Sequence, residues 1–426
     1  MRTILSILQF AIATLLLIGL LMLYSATTYN LSLARLESQF CWVGLGVACY
    51  WITSRCHYTR LRQWHLAECL VAAAILLLLA VLVPGIGVFR NGAARWLPFG
   101  QPSEYAKIAL LIFLADYAAK HSERMQERNA GFLLPAGIAS LAALLIFAEP
   151  DWGAAALLLS LTLAMLFIAG THWGYLASAF IIGAELFALL LARNSMRLER
   201  ILAFLDPEQY KQGIGWQGWH SLLALGSGGL FGVFVGNGSQ KNGFVPEQQT
   251  DFILSLIGEE LGFAGTITVL ILFMIIVLCG VRIAWKVADP FGRLLAAGAT
   301  ILISLQALIN MGVVTSSLPN KGIALPFLSY GGSSMLCMLV SAGLLASVAR
   351  HGQVLPPAPV TNPFAQPHGC KTLEPADGQS ENCLPSAPRG MLQTVLRTAV
   401  SRAGSVGSLK PSGITLPIPW GGRWSL

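Results

Sequence analysis

The sequence predicts an all-α polytopic membrane protein of about ten transmembrane helices, with a large extracytoplasmic loop between helices 7 and 8. Of its 426 residues, 55% are hydrophobic and 11% are charged, whereas soluble domains carry roughly 25% charged residues. The apolar residues also fall into repeated blocks of about 17–25 residues, the length that a helix needs to cross a bilayer. A single membrane domain explains both observations.

The apolar blocks give the expected helix positions. The first block has only Arg2 before it and is longer than the apolar core of a signal peptide, so we expect a retained helix. Residues 1–350 then form the membrane domain, with 193–251 as the large loop, and the Pro/Gly/Ser/Thr-rich residues 351–426 form a disordered cytoplasmic tail. The predicted helices cover 4–27, 39–54, 67–84, 102–119, 132–148, 153–169, 173–192, 252–280, 293–314 and 331–349.

Basic residues in the short loops predict the orientation. With ten spans both termini share a side, and the positive-inside rule makes that side cytoplasmic. The 193–251 loop is also partly basic, but it is long and mixed in sign, so its charges lose their orienting force and we expect it outside. We therefore expect a multi-pass protein of the cytoplasmic (inner) membrane. The orienting residues are Arg55, Arg60, Arg62, Lys120, Arg124, Arg128, Arg282, Lys286 and Arg293.

Several other functions are disfavoured by the residue pattern. The formal charge of +7 is scattered among short loops, so we expect no nucleic-acid partner. The eight cysteines form no CxxC pair and the seven histidines are dispersed, which disfavours disulfides and a zinc site. The glycine-rich run at 226–232 lacks the GxGxxG spacing of a nucleotide site.

Polar residues cluster toward the outer ends of the predicted helices. An ionisable side chain inside a bilayer costs several kcal/mol unless it is paired or hydrated, so such residues favour a functional interpretation. Their positions predict one site at the outer membrane surface. The residues are Arg95, Glu104, Lys107, Asp151, Asp251, Glu259, Glu260, Gln306, Asn310 and Lys321.

Four of these residues, and Trp96 beside them, also have a purely structural explanation. Glu104 and Lys107 are three residues apart, so they share a helix face and can form an ion pair. Asp251 and Asp151 each precede a predicted helix, where a carboxylate can serve as an N-cap. Trp96 is typical of an interfacial anchor. The residues alone leave structure and catalysis both open.

Five motifs carry a resemblance to a known family. In chain order they are ARWLPFGQPSEYAK, EPDWGAA, GSGGLFG, FVPEQQTDFILSLIGEELGF and LPNKGIALPFLSYGGSS. They resemble the SEDS family, the FtsW/RodA/SpoVE proteins, over about residues 1–352. The resemblance implies an inverting peptidoglycan glycosyltransferase that polymerises lipid II at the outer face of the cytoplasmic membrane. IGEELG and LPNKG favour the cell-division member, FtsW, over the elongation member, RodA.

The resemblance also implies roles for individual residues. Asp251 matches the essential aspartate and becomes the catalytic base or a metal-holding carboxylate, while Arg95, Lys107, Lys321 or a divalent ion neutralise the diphosphate. No cofactor is certain; Mg²⁺ or Mn²⁺ is one alternative. The implied partners are lipid II, undecaprenyl-diphosphate-linked glycan, a class B penicillin-binding protein, other division proteins and membrane lipids. The implied substrate-binding residues are Trp96, Arg95, Glu104, Lys107, Asp151, Lys321 and Ser333.

Departures from the family pattern and two rival functions remain. Glu149 and His220 stand where Gln is usual, and Gln249 stands where His is usual. A lipid II flippase would need a polar route through the bilayer, for which Glu185 in the seventh helix is the main support. A scaffold that recruits division proteins would use the loops and the tail instead.

Overall fold

The computed structural model describes residues 1–353 apart from 31–32, 91–92, 193–198, 200–201, 207, 214 and 239–249. The chain divides into two units, Met1–Pro357 and Ala358–Leu426, and all described residues belong to the first. The predicted tail lies outside the described residues from 354 onward, as do Gln249 and other parts of the 193–251 loop.

Helices dominate the described part of the chain. A 3₁₀ segment (Tyr58–His65) leads into α3, and a π-helical segment (Arg128–Leu133) leads into α5. The α-helices are α1 (Arg2–Asn30), α2 (Leu33–Arg55), α3 (Leu66–Leu82), α4 (Pro102–Lys120), α5 (Leu134–Ala148), α6 (Trp152–Ile168), α7 (Trp173–Ala192), α8 (Trp216–Ser227), α9 (Ile253–Glu260), α10 (Gly262–Lys286), α11 (Pro290–Val314) and α12 (Gly332–His351).

The helix order confirms the predicted polytopic helical fold. Six spans of the described chain are long and apolar enough to cross a membrane by length and composition, and α6 and most of α7 are apolar but shorter. The helices α1 to α7, the α9–α10 pair, α11 and α12 correspond to the ten predicted spans. The described residues of the predicted extracytoplasmic loop include a further helix, α8, which hydropathy alone did not indicate.

A short hairpin is an addition to the predicted all-α fold. Strand β1 (Val88–Arg90) pairs antiparallel with strand β2 (Ala93–Trp96). The sequence between the strands is Asn91-Gly92, a dipeptide that strongly favours two-residue hairpin turns. The structure of these two residues lies outside the described part.

The predicted eighth helix, 252–280, is two helices in the structure. Helix α9 ends at Glu260 and α10 begins at Gly262, whose φ of +70° favours glycine. The glycine-rich segment before α9 packs on this break, because the N–H groups of Phe263 and Ala264 donate to Gly229 O and Leu230 O at 2.9 and 3.1 Å. The break therefore depends on a tertiary contact.

The connections lie on two faces. The terminal face carries Met1, His351 and the connections 56–65, 121–127 and 287–289; for example, Ser347 Oγ donates to Cys56 O at 2.6 Å. The site face carries the described residues of the connections 83–101, 149–151, 193–252 and 315–331. Helix α4 runs between the faces and is largely buried despite its charged residues, so protein rather than lipid surrounds them.

Candidate active site

The hairpin holds Arg95 against the turn between α5 and α6. Arg95 Nε donates to the main-chain oxygen of Glu149 at 2.9 Å, and its Nη2 donates to that of Pro150 at 2.8 Å. The forked guanidinium suits two adjacent carbonyls. Trp96 follows in β2, where it is half-buried and pairs with Val88. Arg95 thereby ties the hairpin to the α5–α6 turn.

Asp151 connects the same turn to two other elements. Its carboxylate caps α6 by accepting from Ala154 N at 3.1 Å, as the sequence suggested, and it also accepts from Gln101 Nε2 at 2.9 Å. Gln101 N in turn donates to the buried Ser333 Oγ at 3.2 Å. Asp151 and Ser333, which lie far apart in sequence, therefore share one polar network through Gln101.

Glu104 and Lys107 form the ion pair that their spacing allowed. Lys107 Nζ lies 2.8 Å from Glu104 Oε1 and donates to Gln306 Oε1 at 2.9 Å, and the lysine side chain is 2% exposed. Gln306 Nε2 donates to Ala324 O and Ser334 Oγ at 3.0 and 3.3 Å. Through Gln306, this buried pair supports the 321–334 segment from the interior of the protein. Because the Lys107 side chain is buried, it has no open path to a ligand in this conformation.

Glu149 is a buried carboxyl beside the Arg95 contact. It is 1% exposed, and neither carboxyl oxygen has a hydrogen-bond partner. Burial raises the pKa of Glu149 to about 8, with a further increase from Asp151 and a decrease from Arg95. A protonated Glu149 resembles the glutamine that is usual in the related motif, since both are neutral and similar in shape. Near neutral pH the residue is therefore mainly uncharged.

Asp251 lies immediately before α9 on the site face. The N-cap position of this helix is Phe252, so Asp251 stands one residue outside it and does not occupy the cap position. Its side chain is half-buried, and a methyl group added at Gly322 would lie 2.7 Å from Asp251 Oδ2. The carboxylate therefore packs against the main chain of Gly322.

Asn310 of α11 holds Asp251 and the 321–323 segment together. Its Nδ2 donates to Asp251 O and Ile323 O, at 2.7 Å in both cases. On the other side of this segment, a methyl group added at Gly153 would lie 3.7 Å from Lys321 Cβ. Lys321 thus lies between the Asp251 segment and the first turn of α6, which Asp151 caps.

The structure therefore brings most of the predicted site residues to one face. Asp151 and Ser333 belong to one polar network, Arg95 binds the main chain just before Asp151, and Asp251 and Lys321 meet at Gly322. Sequence reasoning missed Gln101 and Gly322 and noted Asn310 without a role. Gln101 directly precedes Pro102, and a proline is common in the first turn of a helix. This was the local sequence signal that Gln101 lies at a helix start.

Glu259 and Glu260 are buried and belong to the α9–α10 break. Ser25 Oγ of α1 lies 2.7 and 2.6 Å from the two carboxyl oxygens of Glu260. Among the described residues, no group of three or more His, Cys, Asp or Glu side chains could hold a metal ion.

Comparison with known proteins identifies the family. The model of the FtsW/RodA/SpoVE family, described as cell cycle proteins, matches residues 4–354. The chain belongs to this family. An FtsW/RodA/SpoVE relative from Trichlorobacter lovleyi, named probable peptidoglycan glycosyltransferase FtsW, is 40% identical over 79% of this chain and 91% of its own. Stage V sporulation protein E of Bacillus subtilis is 37% identical over 80% of this chain and 95% of its own.

Solved structures of FtsW/RodA/SpoVE proteins share the fold. A chain of a peptidoglycan synthase complex, described as coordinating polymerization and crosslinking, superposes with a TM-score of 0.69 at 28% identity, over 80% of this chain and 96% of its own. The rod shape determining protein RodA of Thermus thermophilus gives a TM-score of 0.60 at 29% identity, over 80% of this chain and 95% of its own. The fold resemblance thus extends over 80% of this chain.

Proposed function

We propose that this FtsW/RodA/SpoVE protein is a peptidoglycan glycosyltransferase that polymerises lipid II at the outer face of the cytoplasmic membrane during cell division. The observation that carries the proposal is 40% identity to a relative named for this activity, over 79% of this chain. The protein is multi-pass, and the basic residues of the terminal face support an orientation with both termini in the cytoplasm. The site face then meets the outer leaflet, where the sugar of lipid II would lie.

Asp251 is the group best placed to act as the general base. It would take the proton from the acceptor sugar hydroxyl as the new glycosidic bond forms and the bond from the anomeric carbon to the diphosphate breaks. Attack opposite to the leaving diphosphate inverts the anomeric configuration. The contact with Gly322 and the bond from Asn310 to Asp251 O support a fixed position for this residue.

Cationic residues would stabilise the departing diphosphate. Lys321, next to Gly322, and Arg95, on the α5–α6 turn, lie on the site face and are half-buried. Lys107 is buried and paired with Glu104, so its proposed role is indirect, through Gln306 and the 321–334 segment. A divalent cation bound with the substrate would supply further charge neutralisation.

A transpeptidase partner completes the proposal. One structural relative is a chain of a peptidoglycan synthase complex described as coordinating polymerization and crosslinking. We expect this chain to act with a class B penicillin-binding protein in the same way. A flippase is less well supported, because Asp116 on the possible polar route pairs with Arg62 and Lys120 at 3.0 and 2.6 Å, and Glu185 is on an exposed helix surface.

The experiment that tests the proposal uses the purified full chain with its cognate penicillin-binding protein. Labelled lipid II is supplied, and glycan strands are separated by gel electrophoresis. The same preparation in liposomes is scored for lipid II translocation. Polymer formation is the expected result. Translocation without polymer would establish the flippase instead, and neither activity would favour the scaffold.

A further inference from the structure

An open cavity lies on the terminal face, across the membrane domain from the candidate active site. It has a volume of about 500 Å³ and lies between the end of α4 and the start of α5. Its lining combines aromatic, cationic, amide and aliphatic side chains, which are Tyr117, His121, Arg124, Asn129, Leu133 and Leu134. The proposed polymerisation reaction uses none of them.

The walls of the cavity are well supported. The rings of Tyr117 and His121 stack with centroids 4.3 Å apart, and Tyr117 Oη donates to Ala130 O at 2.8 Å. Gln126 Nε2 reaches Gly170 O, at the end of α6. The far wall is the π-helical segment Arg128–Leu133, and such segments occur frequently at functional sites. The cavity is therefore defined by several separate contacts.

The apolar and the polar lining residues differ in their position relative to the candidate membrane spans. Leu133 and Leu134 are 46% and 49% exposed and lie within the candidate span Arg128–Ala148. Arg124 and His121 lie outside the spans, just beyond the end of α4. The cavity thus joins an apolar side within a candidate span to a polar rim outside the spans, where Arg124 pairs with Glu127.

The charge of the rim is available to an anion. Arg124 pairs with Glu127 at 2.9 Å, but both side chains are well exposed, at 61% and 50%. An exposed pair of this kind contributes little free energy, so a phosphate can compete with the carboxylate. Lys120, by contrast, is held by Asp116 and Glu68.

We propose that this cavity binds one anionic phospholipid from the leaflet at the terminal face. Its phosphate would meet Arg124 and the Asn129 amide, and an acyl chain would lie along Leu133 and Leu134. Basic pockets between transmembrane helices recognise lipid headgroups in this manner. Glu127 competes with the phosphate for the Arg124 guanidinium. Removing the charge of Glu127 should therefore strengthen lipid binding, whereas removing the charge of Arg124 should weaken it.

The test measures lipid retention on the purified full chain in detergent by native mass spectrometry. The probes are dioleoylphosphatidylglycerol, dioleoylphosphatidylcholine and glycerol 3-phosphate. We expect retention of phosphatidylglycerol with about a tenfold weaker affinity in Arg124→Gln. Glu127→Gln should bind more tightly than the wild type. Arg282→Gln, which removes an exposed basic residue elsewhere near the terminal face, is the matched control and should bind like the wild type.

Several outcomes would overturn the proposal. Equal retention by Arg124→Gln and Arg282→Gln would exclude a specific role for this cavity. Equal binding of phosphatidylcholine would show that negative charge is not recognised. Equal competition by glycerol 3-phosphate would point to a free phosphate ligand rather than a lipid, and unchanged or weaker binding by Glu127→Gln would remove the proposed competition.

Discussion

The two faces of the protein contain similar ion pairs but bury them to different degrees. On the site face, Lys107 pairs with Glu104 and its side chain is 2% exposed. On the terminal face, Lys120 pairs with Asp116 at 2.6 Å; the lysine side chain is 33% exposed, whereas the aspartate is 2% exposed and also contacts Arg62. A buried pair is costly to break because the remaining charge is left without water. Loss of the site-face lysine should therefore be more destabilising than loss of the terminal-face lysine, whose aspartate keeps a second cationic partner.

The difference follows from what each group of residues supports. On the terminal face, charged residues join the ends of regular helices. On the site face, polar side chains bind carbonyls of irregular backbone: Asn310 reaches Ile323 O, and Gln306 reaches Ala324 O. Irregular backbone at membrane depth needs such partners within the protein. The buried polar residues thus make the shape of the candidate site possible.

The largest expected effect comes from breaking the buried pair. Lys107→Met leaves Glu104 charged and unpaired in a dry environment, which should cost about 3–5 kcal/mol of stability. Lys120→Met should cost less than Lys107→Met because Lys120 is 33% exposed and Arg62 still contacts the buried Asp116. Thermal unfolding in detergent measures both variants.

A double variant separates charge from packing in this experiment. Glu104→Gln combined with Lys107→Met removes both charges and should recover most of the lost stability. Equal destabilisation by Lys107→Met and Lys120→Met would contradict the contrast between the faces.

The next effect concerns the pH dependence contributed by Glu149. Its pKa is raised from 4.5 to about 8 in the folded protein. The contribution of Glu149 to folding stability is complete below pH 4.5, where its carboxyl is protonated in both the folded and the unfolded protein. It is lost as the pH rises toward 8, because the unfolded protein releases the proton first. Glu149→Gln removes this titration, so it should gain stability relative to the wild type by on the order of 2 kcal/mol between pH 5 and 8.

Glu127 is the matched control for this pH series. It is exposed on the terminal face, and its hydrogen bond with Arg124 lowers its pKa. Glu127→Gln should therefore not gain stability relative to the wild type as the pH rises from 5 to 8. Parallel stability curves for the wild type and Glu149→Gln from pH 5 to 8 would show that Glu149 is charged throughout.

The smallest expected effect is a difference in unfolding temperature between alanine variants of two buried serines. Ser25 on the site face donates to the carboxylate of Glu260, whereas Ser347 on the terminal face donates to the carbonyl of Cys56. Bonds to charged groups contribute about 1.5–3 kcal/mol and neutral ones about 0.5–1.5 kcal/mol. Ser25→Ala should therefore lower the unfolding temperature more than Ser347→Ala. The reverse order would argue that Glu260 is neutral or bound mainly by other groups.

Local sequence signals predicted the helices better than their interruptions. Hydropathy located the spans because each one must present about 20 apolar residues to lipid. The break at Gly262 was missed because it depends on the segment around Gly229, which comes earlier in the chain. The hairpin was missed although Asn91-Gly92 was visible in the sequence.

The sequence predicted which residues belong to the candidate site, but not which of them contact each other. The spacing of Glu104 and Lys107 predicted their ion pair, since both lie on one helix. The contact of Asp251 with Gly322 joins segments about 70 residues apart, so no local pattern could indicate it. The same holds for the link from Gln101 to Ser333.

The most direct test of the central claim is lipid II polymerisation by Asp251→Asn in complex with the partner penicillin-binding protein. Asparagine preserves the shape of the side chain but cannot accept the proton, so we expect at least about a 100-fold loss of polymer with an unchanged unfolding temperature. Asp289→Asn, which alters the cap of α11 on the terminal face, should retain polymerisation. Glycan synthesis by Asp251→Asn at the wild-type rate would contradict the assignment of Asp251 as the base.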